Sequence, residues 1–361
     1  MNTQIFNTCA FLSEADSAGF SRPKKKFSPK ALAEESNIHK AAELLKQGGL
    51  VAFPTETVYG LGANAWDAEA SSRIYATKGR PQDNPMIVHI PEAEDLWRLV
   101  EESNSSHRAT AEMLAEAFWP GPLTLILKKK TIVPDVVTGG LPTVAVRMPA
   151  HPVALAFLRA AGCPVAAPSA NLSGAPSPTK GEHVIRDLDG KIDAILLGDD
   201  SRIGIESTVL DLTTETPVIL RPGVIGRNEL SAVLSREVRL DATLLQNKEG
   251  HEERPRAPGM KYRHYAPKAE MIVIKGDSTA IHKEALRWKA QEEAKGRKVG
   301  LFFPDDGTTE DAAKIFYAQL RQMDEEGVDL ILAGAVQKTD DIGFALMNRM
   351  LKSAGYRVIL V

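Results

Sequence analysis

The chain has 361 residues, 43% hydrophobic and 25% charged, which is an ordinary balance for a globular protein and too long for one ordinary domain. Its formal net charge of −3 argues against a general electrostatic grip on nucleic acid, because dedicated binders are basic. Two cysteines, Cys9 and Cys163, build no disulfide framework, and no apolar run approaches the roughly 20 residues that cross a bilayer.

In chain order, the first 30 residues mix acids, Ser and the run Lys24 to Lys26 without a secretory apolar region. They read as a loose polar lead-in to a cytoplasmic protein. In that compartment the Asn-x-Ser tripeptides at Asn104 and Asn171 carry no sugar. Residues His39 to Gln47 have helical spacing, stopped by Gly48-Gly49, and a short apolar strand follows over Leu50 to Phe53. Further strands are expected at Met86 to Ile90, Leu123 to Leu127, Thr143 to Arg147, Val165 to Ala167, Ala194 to Leu197, Thr208 to Leu212 and Val218 to Leu220. Helical patterns fall between them at Ala68 to Thr77, His107 to Phe118 and Pro152 to Ala161. Cys163, in an apolar stretch, is expected to be a buried structural thiol. The fold class is α/β, with a large mixed twisted sheet over 38–245 and a polar lead-in over 1–37.

Residues 246–268 break the pattern. The stretch from Arg254 to Lys268 holds five Lys/Arg, three Pro and no acid, the composition of an extended linker. Beyond it, strands at Met271 to Ile274, Lys298 to Phe303, Asp329 to Ala333 and Tyr356 to Val361 alternate with helices at Ala280 to Ala294, Ala312 to Glu326 and Ile342 to Ala354. That alternation predicts a small doubly wound domain over 269–361, Rossmann-like but without G-x-G-x-x-G or a Walker loop.

Candidate chemistry clusters at strand ends of the first domain, where open α/β sheets hold ligands. Pro54 to Gly62, which contains Thr55, Thr57 and Tyr59, either lines a pocket with small donors or is a plain strand exit. Lys78-Gly79-Arg80-Pro81, with Asn84-Pro85, puts two cations on a stiff loop, which suits an anion site or a solvated basic turn. His89 lies mid-strand, where a satisfied core histidine is the default. Arg147 ends an apolar strand, so burying it requires a carboxylate from the protein or from a ligand. Ser169-Ala170-Asn171 leads a loop reaching Ser177, whose hydroxyls and N–H groups suit phosphate oxygens or an ordinary turn. Glu206-Ser207-Thr208 heads one strand, and Arg221-Pro222-Gly223 ends another. Together, Lys78, Arg80, Arg147 and Arg221 with several hydroxyls around one sheet suit a phosphate-rich anion. The sequence shows no Ser-His-Asp set, H-E-x-x-H or zinc spacing.

These clusters, in this order, resemble the YrdC-type threonylcarbamoyl-AMP synthases. The run from Pro258-Gly259-Met260-Lys261-Tyr262-Arg263-His264 to Tyr265-Ala266-Pro267 resembles the linker of that family's long form, which adds a small Rossmann-like domain. The resemblance covers roughly residues 38 to 361. It implies synthesis of threonylcarbamoyl-AMP from L-threonine, bicarbonate and ATP, with release of pyrophosphate, and a partner transferase that moves the group to tRNA. It further implies that Thr57, His89, Arg147 and Ser207 hold threonine. Arg80, Asn84, Thr143, Ser169, Asn171, Ser177 and Arg221 would then hold ATP, with Lys78 and Arg80 as the catalytic cations. Mg²⁺ is expected to come with ATP rather than on protein side chains. The acid-free linker, chiefly Tyr262, His264 and Tyr265, is expected to be a lid over the pocket.

Two rival functions share the domain type. An RNA-binding module of the same fold is disfavoured by the net charge. A carbamoyl transferase of hydrogenase maturation would carry zinc-finger segments, for which this chain has too few cysteines.

Overall fold

The computed structural model describes residues 2–8, 29–102, 105–244, 255–258, 260, 265–338 and 341–361. Among them, eleven strands form one large sheet: β1 (Gln4–Asn7), β2 (Val51–Phe53), β3 (Gly60–Asn64), β4 (Ile87–His89), β5 (Leu123–Lys128), β6 (Thr143–Arg147), β7 (Val165–Ala167), β8 (Ala194–Leu197), β9 (Thr208–Asp211), β10 (Val218–Arg221) and β11 (Arg239–Leu240). Their order is β1-β8-β2-β3-β7-β4-β6-β5-β9-β10-β11. The pairing is mixed: β2 runs parallel to β8 but antiparallel to β3, and β4 runs parallel to β6 but antiparallel to β7.

Alternation along the strands supplies both faces of this sheet. Val51 and Phe53 join Val165 and Leu196 beneath helices Pro29–Lys46 and Pro152–Ala161, where Ile38, Leu45, Phe157 and Leu158 meet them. Ala52 and Leu61 face the other way, into a larger core with Ile74, Val88, Leu114, Leu125 and Val146. Helices Ala68–Lys78 and Ser105–Phe118 contribute to that side.

Besides the two-residue edge strand β11, for which no strand was expected, two strands depart from expectation. The start of the chain is not simply a loose lead-in. Residues Gln4–Asn7 form the edge strand β1, parallel to β8 with Gln4 opposite Ala194 and Asn7 opposite Leu197. The Thr3 and Thr8 hydroxyls clamp it, donating to the Ile192 and Leu197 carbonyls at 2.7 and 2.6 Å. An edge strand needs only backbone partners, so its four residues carry little apolar signal. The other departure is β3, whose Gly60-Leu61-Gly62 reads as turn. A Cβ on Gly62 would lie 2.7 Å from Val165 Cγ1, so glycine here serves close strand packing.

The small domain has four parallel strands, β12 (Glu270–Lys275), β13 (Val299–Phe302), β14 (Leu330–Gly334) and β15 (Val358–Leu360), in the order β13-β14-β12-β15. Helices Ser278–Glu293, Thr309–Glu325 and Asp341–Ser353 connect them. One apolar cluster runs through the domain boundary: Val58 and Ile205 of the large domain pack with Met271, Phe316, Tyr317 and Leu346. Buried ion pairs reinforce it. Arg321 grips Asp187 at 2.7 Å, and Arg349 meets Glu206 at 2.9 Å.

Candidate active site

The strand ends of the large domain surround a cleft. Its first wall is the exit of β2. The Thr55 hydroxyl closes the local turn, donating to the Val58 carbonyl at 2.6 Å and accepting from the Thr57 and Val58 N–H groups at 3.2 Å. With Thr55 committed to its own backbone, the Thr57 hydroxyl faces the neighbouring strand and accepts from Arg147 Nη1 at 2.8 Å.

Arg147 ends β6 directly across the register from His89 on β4. Its Nε donates to the Gly121 carbonyl at 3.1 Å, and Nη2 stands 2.6 Å from Glu56 Oε1. The carboxylate required for burying such an arginine is therefore internal. The guanidinium stays at the cleft, 3% exposed, ready to meet a second anion. His89 lies edge-on to Phe53, ring centroids 5.8 Å apart. Burial, and then the Arg147 charge, push its pKa down to about 3, so it is neutral.

Arg80 is placed by a helix end. Helix Ala68–Lys78 stops at Gly79, whose φ of 62° is left-handed, a conformation that favours glycine. Arg80 then folds back on its own loop, Nε on the Asn84 carbonyl at 3.2 Å and Nη2 on the Pro85 carbonyl at 2.8 Å. Burial lowers its pKa to about 10, so it remains a cation at neutral pH.

Arg221 ends β10 and is held by Ser207, with Nε on the Ser207 carbonyl and Nη2 on its Oγ, both at 3.0 Å. Its Nη1 reaches the Pro258 carbonyl at 3.4 Å. Gly223 permits this approach: a Cβ there would sit 2.4 Å from the Thr208 nitrogen. Ser207 Oγ also lies 2.8 Å from Thr124 Oγ1.

The cleft thus gathers Thr57, His89, Arg147, Ser207, Arg80, Ser169, Arg221 and, from the end of the linker, Tyr265. Five expected residues do not line it. Lys78 is buried, and its Nζ donates to the Ser169 and Asn171 carbonyls, so it braces the Ser169 loop and is not turned to the cleft. Asn171 braces the same loop, its Nδ2 donating to the Leu172 and Ala175 carbonyls at 2.8 and 2.9 Å. Ser177 is buried and donates to Glu206 Oε1 at 2.6 Å. Asn84 is buried with its carbonyl under Arg80. Thr143 begins the strand whose other end carries Arg147, and so lies away from the cleft. Tyr262 and His264 fall outside the described residues.

The structure also brings in residues to which the sequence assigned no role. Glu206 lines the cleft, beside Tyr59, which the sequence offered as pocket-lining, and Pro258 of the linker. Behind Glu206 stand Tyr317 and Arg349 of the small domain. The Glu-Ser-Thr run hinted at Glu206. Nothing in the helical patterns distinguished Tyr317 or Arg349 from other polar positions.

A family model described as "Telomere recombination", of the Sua5, YciO and YrdC proteins, matches residues 43–223. A second, described as the C-terminal domain of threonylcarbamoyl-AMP synthase, matches residues 225–355. The chain is 48% identical over 339 residues to a threonylcarbamoyl-AMP synthase of Pyrococcus abyssi, covering 91% of this chain and 97% of that one. It is 44% identical to the protein of that name from Bacillus subtilis, covering 90% and 95%. A crystal structure of P. abyssi Sua5 complexed with L-threonine superposes with a TM-score of 0.87 at 44% identity, covering 99% of this chain and all of that one.

Proposed function

Since this chain belongs to the threonylcarbamoyl-AMP synthase family, we propose that its cleft joins L-threonine, bicarbonate and ATP and releases pyrophosphate. The observation that carries this reading is the convergence of Arg80, Arg147 and Arg221 with the Thr57, Ser169 and Ser207 hydroxyls in one cleft. Such a site suits a small carboxylate beside a polyphosphate.

Arg147 and Thr57 are the natural seat for the threonine carboxylate and ammonium end, next to neutral His89. Arg80, Ser169 and Arg221 lie toward the nucleotide. The threonine amine and bicarbonate give a carbamate and water. A carbamate oxygen then attacks the α-phosphorus of ATP, the bond to the bridging oxygen breaks, and pyrophosphate carries that electron pair away. The carbamate is already an anion, so no strong general base is required. Catalysis is positioning plus cationic stabilisation of the phosphoryl transition state.

No group of three or more His, Cys, Asp or Glu among the described residues could hold a metal. Mg²⁺ would arrive bound to the polyphosphate of ATP, whose charge it screens.

The linker would act as a lid through the parts nearest the cleft. The Pro258 carbonyl sits on Arg221, and the buried Tyr265 ring closes one side. The product would pass to a tRNA-modifying transferase in the cytoplasm. No helix among the described residues is long and apolar enough to cross a membrane.

A pyrophosphate-release assay tests the reaction. Release should require both threonine and bicarbonate, and equal release without threonine would sink the proposal.

A further inference from the structure

Among the described residues lining the cleft there is one carboxylate, Glu206. It is 6% exposed and shares the cleft with Arg80 and Arg221. An unscreened carboxylate there would oppose any polyphosphate drawn to those arginines. The small domain supplies its compensation. Arg349, fully buried, donates from Nε to Glu206 Oε2 at 2.9 Å, and the Tyr317 hydroxyl donates to the same oxygen at 3.1 Å. The other two nitrogens of Arg349 also donate, Nη2 to the Pro222 carbonyl at 2.9 Å and Nη1 to Asn348 Oδ1 at 3.2 Å. On the other side, Glu206 Oε1 accepts from Ser177.

Resting on the function proposed above, we propose that Arg349, aided by Tyr317, is a positioning residue of the nucleotide site. It cancels the charge of Glu206, so that this carboxylate fixes Ser177 and stands beside Arg221 without repelling the phosphates. The small domain is then an electrostatic part of the active site.

Other groups face Glu206. Arg221 lies on the large-domain side, and Tyr265 comes from the linker. Lys352, on the same helix as Arg349, is pushed down to about 7 by burial and then by Arg349 and Arg221. Arg349 is one cause of that lowering, so comparing the variants at pH 8 and pH 9 reports any charge that Lys352 gains when Arg349 is replaced.

The test compares Arg349→Met in the native and in the Glu206→Gln background. In the native background the KM for ATP should rise about tenfold, with the threonine KM little changed. In the Glu206→Gln background the same substitution should cost less than about threefold, because the charge it uncovers is gone. Tyr317→Phe, which keeps the packed ring, should show a smaller effect of the same kind, also cancelled by Glu206→Gln. It decides the matter if Arg349→Met does not fold.

An equal factor in both backgrounds would show that Arg349 only docks the domain, and would overturn the proposal. So would a loss confined to kcat. Affinity for a nonhydrolysable ATP analogue, measured on the same proteins, separates this claim from the reaction. Native protein that binds the analogue but releases no threonine-dependent pyrophosphate refutes the function. An Arg349 effect on analogue affinity that does not depend on Glu206 refutes the present inference alone.

Discussion

Arg80 and Arg221 enter the cleft from different elements, yet each is anchored by backbone carbonyls. Such anchoring fixes a charge in place before the substrate arrives, which is what stabilises a phosphoryl transition state. Replacing either by Ala should lower kcat/KM for ATP about 10²-fold or more, a loss of a few kcal/mol. Near-normal values in both variants would place the phosphate site elsewhere. His89 and His151 carry a different consequence. Burial pushes their pKa values down to about 3 and about 4, below the usual 6.5. The unfolded chain therefore binds more protons than the native one between those values and 6.5. Stability from both is complete above pH 6.5 and falls as the pH drops, by about 1.4 kcal/mol per pH unit for each histidine once below 6.5. Urea midpoints should consequently be lower at pH 5 than at pH 7. Asn in place of His151 should flatten the slope, and an unchanged slope would mean that His151 does not titrate this way.

One helix controls how the nucleotide loop is presented. The Asp67 carboxylate caps Ala68–Lys78, accepting from the Glu69 and Ala70 N–H groups, and Gly79 closes the other end. The cap and stop fix where Lys78 ends and Arg80 begins. Asp67→Ala should cost about 1 kcal/mol of stability, as lost N-caps do, visible as a lower urea midpoint with the cleft chemistry intact. The periodicity placed this helix at Ala68 to Thr77, one residue short of its observed end at Lys78, because apolar spacing is local and the last turn is closed by Gly79. The pattern placed β6, β7 and β8 as observed, and the helix Pro152–Ala161 as well. Strand β1 was not legible, because an edge pairing depends on backbone groups that every sequence has. Strand β3 was missed because its glycines serve strand packing, Gly62 against Val165 and Gly60 against Phe53 and Ala167, and not a turn.

Across the whole molecule, buried arginines hold the two domains in register. Arg321 forks onto Asp187 at 3.1 and 2.7 Å and also donates to the Pro176 carbonyl, in the loop that carries Ser177. Removing it leaves Asp187 and that carbonyl uncompensated. Arg321→Ala should destabilise by about 3 kcal/mol or more. Calorimetry should then show the domains melting separately, and a single unchanged transition would mean that the apolar seam alone couples them. By itself, the sequence determined the alternation of strands and helices, the small parallel domain, the order of the cation and hydroxyl clusters, and through them the family. All of these rest on periodicity, composition and short-range spacing. Only the tertiary structure decided that Lys78 turns to carbonyls instead of the cleft, that the acid Arg147 requires is Glu56, and that Arg321, Tyr317 and Arg349 leave their helices to complete the other domain. Helical periodicity tells which face is apolar. It cannot tell which polar side chain will meet a buried carboxylate more than a hundred residues away.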